Sequence, residues 1–195
     1  MKQKQSHRLA ASRLFFFARN FLKYPVMQGS LVPSSQFLVK DVLRQVDWDK
    51  ARVVVEYGPG VGTLTNEILK QMRPDAVLVA IELNQDYVNV LRREIRDPRL
   101  HVVHGSAVDV RQLLAELNLS QPDYIISSLP YSNMQEPLRR AMVEQSRQVL
   151  GEDGVLLVFQ YTTTLLPYLR RSFRSVRQDF QLLNIPPALI FHCTT

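Results

Sequence analysis

Val53-Val54-Val55-Glu56-Tyr57-Gly58-Pro59-Gly60-Val61-Gly62-Thr63 is the stretch from which the rest of this 195-residue chain is read. Three β-branched residues in a row favour a buried strand. Three glycines at alternate positions then bend the chain into a helix. Glycine suits such a bend because, lacking Cβ, it turns tightly and lets the backbone pass close to a ligand. Glu56 stands just before the bend. Outward from it, Val77 to Ile81 is a second apolar run ending at Glu82, 20 residues after Gly62. Thr63 to Met72 reads as the helix between the two strands, ended by Pro74-Asp75. A carboxylate at the carboxyl end of the second strand can accept hydrogen bonds from both ribose hydroxyls of a nucleoside. A glycine-rich turn with no ligand is the plainer account of a lone G-x-G-x-G. Strand, turn, helix and carboxylate in this order favour a nucleoside site.

The dinucleotide fingerprint sets its third glycine three residues after the second. Here that position is Thr63, and the third glycine falls early at Gly62, which argues against a nicotinamide cofactor. The pattern E-x-G-x-G-x-G from Glu56 to Gly62 resembles the first motif of the class I S-adenosylmethionine (AdoMet) methyltransferases. The resemblance implies AdoMet as cofactor, S-adenosylhomocysteine as its product, and no metal. It implies cofactor contacts at Glu56, Gly58, Gly60, Thr63 and Leu64 around the turn, and at Glu82 and Leu83 after the second strand.

The length and a 46% hydrophobic content support one α/β domain with a full core, spanning 1–195. A single cysteine, Cys193, forms no internal disulfide, which suits a reducing cytoplasm. No apolar run approaches the roughly 18–20 residues of a membrane span. Leu14 to Ala18 is too short, and no apolar core leads to a small-residue cleavage site, so no signal peptide is expected. The charge is uneven. Residues 1–40 carry seven Lys or Arg and no Asp or Glu, whereas the other 155 carry 17 basic and 18 acidic residues. Such asymmetry points to a polyanionic partner, a nucleic acid or an anionic membrane, unless it marks a solvated tail.

Residues 8–23 do not read as a tail. On a helical wheel Arg8, Ser12, Arg13, Arg19, Asn20 and Lys23 fall within an arc of roughly 140°. Ala10, Ala11, Leu14, Phe15, Phe17, Ala18, Phe21 and Leu22 fill the opposite arc of roughly 160°. Tyr24-Pro25 ends this amphipathic helix, since proline disfavours helix in the residue before it. Three uses compete. The apolar face can dock on the domain. It can lie in a lipid interface, with Phe15, Phe17 and Phe21 down and Arg8, Arg13, Arg19 and Lys23 against phosphates. It can bind RNA, though phenylalanines on one helical face are not spaced as a stacking platform. At an anionic surface each basic side chain contributes on the order of 1 kcal/mol.

Beyond Pro25 the remaining chain, 25–195, reads as the catalytic core. Ser34 or Ser35 caps a helix from Gln36 to about Val46. The rest alternates: strand 52–56, helix 63–72, strand 76–82, helix 84–96, strand 100–104, helix 110–117, strand 123–127, helix 135–149, strand 154–160, helix 163–170, then strands 175–183 and 188–193. Alternation implies a doubly wound, mostly parallel sheet with helices on both faces. The short last connection implies an antiparallel pair at one edge. The methyltransferase resemblance implies seven strands in the order 3-2-1-4-5-7-6.

Ligands of open α/β sheets bind at the carboxyl ends of the strands. The fourth strand ends in Ser127-Ser128-Leu129-Pro130-Tyr131-Ser132-Asn133, which resembles the fourth motif of amino-methylating enzymes. In that motif a side-chain oxygen and a backbone carbonyl accept hydrogen bonds from the target amine. Ser128 stands where Asn or Asp is usual. Holding the amine at the methyl group is worth up to roughly 7–11 kcal/mol. Aromatic faces stabilise a methylated ammonium by about 0.5–2 kcal/mol each. Tyr24, Tyr131 and Tyr161 are the candidates for such faces, beside Ser128; each also suits ordinary packing. Ser127 joins the expected cofactor contacts. After the third strand the family often carries Gly-Asp-Ala, and this chain has Gly105-Ser106-Ala107, so Ser106 or the backbone of Ala107 is expected at the adenine. His7, His101, His104 and His192 have no metal-ligand grouping, and His104 is expected to end a core strand.

Ser35-Gln36-Phe37-Leu38-Val39-Lys40-Asp41 and Leu129-Pro130-Tyr131 resemble the ribosomal RNA adenine dimethyltransferases. There the polar residues, here Ser35 and Gln36, line the methionine end of AdoMet. Those enzymes carry a further C-terminal helical domain, whereas this sequence stops at the sheet. Val32 to Ser35, Ser127 to Pro130 with Asn133, and Asn184 to Ala188 resemble the bacterial phospholipid N-methyltransferases, over roughly residues 14–192. That resemblance implies phosphatidylethanolamine as substrate, methylated stepwise toward phosphatidylcholine by an enzyme on the cytoplasmic face of the membrane. Arg170, Arg171, Arg174 and Arg177 form a second basic group that could meet phosphates or simply be solvated.

Overall fold

The computed structural model describes residues 36–184 and 186–195. The amphipathic segment 8–23, Tyr24 and Ser35 lie outside the described residues. The elements are α1 (Gln36–Leu43), β1 (Val53–Tyr57), α2 (Thr63–Gln71), β2 (Val77–Glu82), α3 (Gln85–Glu94), β3 (Leu100–His104), α4 (Val110–Glu116), β4 (Tyr124–Ser127), α5 (Glu136–Val149), β5 (Val155–Gln160), α6 (Leu166–Ser172), β6 (Ser175–Gln181) and β7 (Ala188–Thr194). They build one sheet in the order β3-β2-β1-β4-β5-β7-β6, the order that the methyltransferase resemblance implied. β7 runs against both of its neighbours; the other pairings are parallel.

Strands buried on both faces read as continuous apolar runs rather than alternating ones. β1 and β5 are buried along their whole length. Their side chains still divide by period two. Val55, Tyr57, Val79, Ile81, Ile125 and Val158 enter one core, under α4, α5 and α6. Val54, Leu78, Ile126, Leu157 and Phe159 enter the other, with Leu38 and Val42 of α1 and Leu64 and Ile68 of α2. The register aligns Tyr57 with both Ile81 and Ser127, and Ser127 with Val158. The carboxyl ends of β1 to β5 therefore meet along one edge. β6, antiparallel to β7, runs in the same direction as β5 and ends there too.

Four differences from the sequence reading have physical causes. α1 stops at Leu43 rather than near Val46, because the Trp48 indole donates to the Leu43 carbonyl at 3.0 Å. α6 starts at Leu166, not 163: Pro167 fits the first turn of a helix, and Leu166 N–H closes a turn on Thr163. β6 stops at Gln181 rather than 183, since Gln181 bonds to Asp41 of α1 and its Oε1 accepts from Leu183 N–H at 2.8 Å, curling the chain. β3 is an edge strand, so His104 ends it exposed rather than in the core.

The hairpin turn after β6 is apolar and exposed. Phe180, Leu182 and Leu183 are 57%, 69% and 64% accessible. α1 lies antiparallel to β6, joined through Asp41 to Gln181 and Gln45 to Arg177. Phe37, one helical turn before Asp41 and itself exposed, extends toward the same corner. The second basic group lies elsewhere. α6 carries the chain away from the site edge, and Arg174 N–H meets Thr194, which pairs with the first residue of β5. Arg170, Arg171 and Arg174 thus belong to the opposite edge, while Arg177 pairs with Asp179 at 3.3 Å.

Candidate active site

All three glycines of the turn are left-handed, with φ of +71° at Gly58, +56° at Gly60 and +80° at Gly62. Two of them are also tight. A Cβ at Gly58 would meet Leu129 Cδ2 at 2.8 Å, and one at Gly62 would meet Leu91 Cδ2 at 2.7 Å. A Cβ at Gly60 would have nothing within 4 Å, so the turn opens onto free space there. Gly60 N–H donates to Glu82 Oε2 at 3.1 Å, and Asn84 N–H donates to Glu82 Oε1 at 2.9 Å. The carboxylate ending β2 therefore braces the turn after β1. Burial raises the Glu82 carboxyl above the usual carboxylate range, opposed by those backbone N–H groups.

Glu56 lies on the α1–α2 face of β1 and is fully buried. The Thr65 hydroxyl of α2 donates to its Oε2 at 2.7 Å. Its Oε1 is the one fully buried side-chain oxygen or nitrogen without a partner among the described residues. Burial pushes the carboxyl up to about 8; the Thr65 bond opposes this, and the nearby Glu82 charge adds to it. Thr63 is half-buried at the start of α2, and Leu64 packs into the core beneath. Leu83, beside Glu82, is 57% exposed. Gln36 is exposed at the start of α1.

At the next strand end, Ser106 Oγ accepts from Val108 N–H at 3.4 Å and caps a short 3₁₀ turn from Ala107 to Asp109. Gly105 N–H donates to the Glu82 carbonyl at 3.0 Å, which holds this turn beside the glycine turn.

The end of β4 is fastened to the same turn. Ser128 Oγ donates to the Gly58 carbonyl at 2.7 Å, so its lone pairs remain to accept. Ser127 is fully buried, and its hydroxyl lies 3.1 Å from that of Tyr131. Tyr131 is 1% exposed, and its ring belongs to the core. Burial pushes its phenol up to about 12. The structure thus places Tyr131 under the turn, not open above it, and brings Ser128 rather than Tyr131 to the crevice side. Tyr161 is half-buried just after β5, against the α1–α2 core.

Four further residues shape the site. Thr65 holds Glu56, and Asn84 caps α3 through Asp86 N–H at 2.9 Å. Arg139 of α5 clasps the loop after β4, donating to the Tyr131 carbonyl at 2.9 Å and the Met134 carbonyl at 2.7 Å. Its guanidinium lies 5.5 Å from the Tyr168 ring centre. Gln160, at the end of β5, donates to the Leu129 carbonyl at 2.8 Å. In the sequence only Gln160 carried a visible sign, as a lone amide closing an apolar strand.

The crevice suits a sulfonium nucleoside. Open space faces Gly60, a braced carboxylate closes β2, and a buried carboxyl beside the turn keeps an unpaired oxygen. Among the described residues no group of acidic, His or Cys side chains could hold a metal.

Known proteins resemble this chain in sequence and in fold. The ribosomal RNA adenine dimethylase family model matches residues 29–175. An ornithine lipid N-methyltransferase from Singulisphaera acidiphila is 31% identical over 181 residues, covering 92% of this chain and 94% of that protein. A ribosomal RNA small subunit methyltransferase A from Synechococcus is 28% identical over 148 residues, covering 74% of this chain but only 46% of its own length. In fold, the chain is similar to a precorrin-6y methyltransferase from Geobacter metallireducens (TM-score 0.68, 15% identity, 87% of this chain and 93% of that one). It is also similar to an O-methyltransferase from Bacillus cereus (TM-score 0.66, 14% identity, 94% and 91% covered). The chain belongs to the ribosomal RNA adenine dimethylase family and is an AdoMet-dependent methyltransferase of class I fold.

Proposed function

We propose that this enzyme methylates the amine of a membrane lipid, with phosphatidylethanolamine and its methylated intermediates as substrates and phosphatidylcholine as the end product. The observation that carries the reading is the full-length match to a lipid N-methyltransferase, where the ribosomal RNA enzyme from Synechococcus is spanned for less than half its length. Two features of the chain support it. The basic amphipathic segment 8–23 has the composition of an interfacial helix. The corner of Phe37, Phe180, Leu182 and Leu183 sets exposed apolar side chains on the same edge as the site. The enzyme would then work at the cytoplasmic face of the cell membrane, reaching its lipid without a membrane span.

Bound AdoMet would supply a methyl carbon on a sulfonium, so that an N–C bond could form as the C–S bond breaks, with the C–S electron pair left on sulfur and the ammonium proton released to water. Glu82 and the Gly58–Gly62 turn would hold the nucleoside, and Glu56 the charged end of the cofactor. Ser128, whose O–H donates to the Gly58 carbonyl, would accept from the substrate amine through a lone pair. The chain's task is positioning, which is where most of the acceleration of such a displacement arises.

Incubation with labelled AdoMet and vesicles of phosphatidylethanolamine and phosphatidylglycerol should label the lipid, as read by thin-layer chromatography. Deletion of residues 1–23 should abolish vesicle binding. The family match favours a second reading, methylation of adenine N6 in RNA. Label recovered in RNA but not in lipid, with binding that weakens steeply as salt rises, would replace the first reading by the second.

A further inference from the structure

The amide of Gln160 has one end committed and the other free. Gln160 closes the apolar run of β5 and is 5% exposed. Its Nε2 donates to the carbonyls of Leu129 at 2.8 Å and Phe159 at 2.6 Å. Both partners are acceptors, so the NH₂ group must face them and Oε1 must be the other terminus. No described residue bonds to that oxygen.

A neutral amine attacks through its lone pair, and its N–H bonds must be held pointing elsewhere. Acceptors do this. The Leu129 carbonyl already receives Gln160 Nε2 and Tyr131 N–H at 2.9 Å, which fills both of its lone pairs. Ser128 Oγ commits its O–H to the Gly58 carbonyl and is left with lone pairs to accept. Resting on the amine-lipid reading above, we propose that Gln160 Oε1 and Ser128 Oγ together receive the two N–H bonds of a primary amine, with Gln160 replacing the backbone acceptor that Leu129 cannot offer. Gln160 is then a specificity residue whose importance declines as methyl groups accumulate. A primary amine has two N–H bonds to place, a secondary amine one, and a tertiary amine none.

The test uses the full chain and three lipids: phosphatidylethanolamine and its N-methyl and N,N-dimethyl forms, each in anionic vesicles. Gln160→Met should lower kcat on the primary amine by about tenfold, the worth of one lost hydrogen bond, and on the tertiary amine by less than about threefold. AdoMet affinity, read by calorimetry, should be unchanged. Equal losses on all three lipids would reduce Gln160 to a staple for the loop and overturn the inference. Should Gln160→Met fail to fold, Gln160→Glu keeps the volume and an acceptor while adding charge. Its pH–rate profile on the primary amine should then move upward, because a carboxylate holds the ammonium form; an unmoved profile overturns the inference. A wild-type enzyme that labels none of the three lipids removes the substrate reading itself, a result separate from equal losses in the variant.

Discussion

Glu56 is a carboxyl group without solvent contact, held by a single hydroxyl. With its pKa pushed up to about 8, it is protonated at neutral pH. The folded chain therefore binds a proton that the unfolded chain, near the ordinary 4.5, releases earlier. The stability this gives is complete below the unfolded value and is lost as pH rises through the folded one. The thermal midpoint should accordingly fall between about pH 5 and 8, and Glu56→Gln should flatten that fall. An identical slope in the variant would mean that Glu56 is already ionised. Glycine substitutions separate ligand space from packing space. Gly60→Ala should cost about 1–2 kcal/mol from its left-handed backbone and lose AdoMet affinity, since the new methyl enters open space in the crevice. Gly62→Ala pays the same backbone penalty and also drives a methyl into Leu91 and Ile95, so its denaturant midpoint should drop further. Glu56, Glu82 and the glycines were legible because their spacing along one βα unit is local. Thr65 and Arg139 were not, and Gln160 showed only as a lone amide closing an apolar strand, with no sign of its partner. Gln160 meets Leu129 across 31 residues, and no spacing rule anticipates such a pair.

The loop after β4 depends on α5 as much as on its own sequence. Its proline and 3₁₀ turn leave two carbonyls for Arg139 to collect, and Tyr168 covers the guanidinium. A charged donor to a carbonyl is worth about 1.5–3 kcal/mol. Arg139→Met should destabilise the fold by that order, measured in urea, and should lower kcat more than AdoMet affinity. Equal stability would show the clasp to be incidental. Strands and helices were legible as elements because parallel strands buried on both faces leave unbroken apolar runs. Their ends were less so. Trp48 stops α1 and Asp41 turns the end of β6, both through contacts that exist only in the folded chain. Tyr131 misled for a related reason: its motif placed it at the reacting end, while its ring anchors the loop from below.

At the scale of the whole molecule, the excess of positive charge and the site occupy different parts of the sequence. The basic excess lies in residues 1–40, and the cofactor turn follows after it. For the second arginine group two uses stood open, phosphate contact or plain solvation; the fold carries Arg170, Arg171 and Arg174 toward the edge opposite the site, and Arg177 pairs with Asp179. What the site edge does offer is the apolar corner after β6. Leu182→Ser with Leu183→Ser should weaken sedimentation with anionic vesicles while leaving AdoMet affinity intact; unchanged sedimentation would free this corner of any role at the membrane. The topology of the seven-stranded sheet was implied by family resemblance, and the structure carries it out strand for strand.

The placement of β7 between β5 and β6 orders events on the ribosome. β6 leaves the exit tunnel first, yet among the described residues β7 is the only strand it pairs with. Until residues 188–194 emerge, β5 presents a bare edge and β6 waits without a partner. Such an edge invites pairing with other chains. The nascent protein is most open to aggregation, and most in need of a chaperone, in the interval after β6 has emerged and before residues 188–194 follow it.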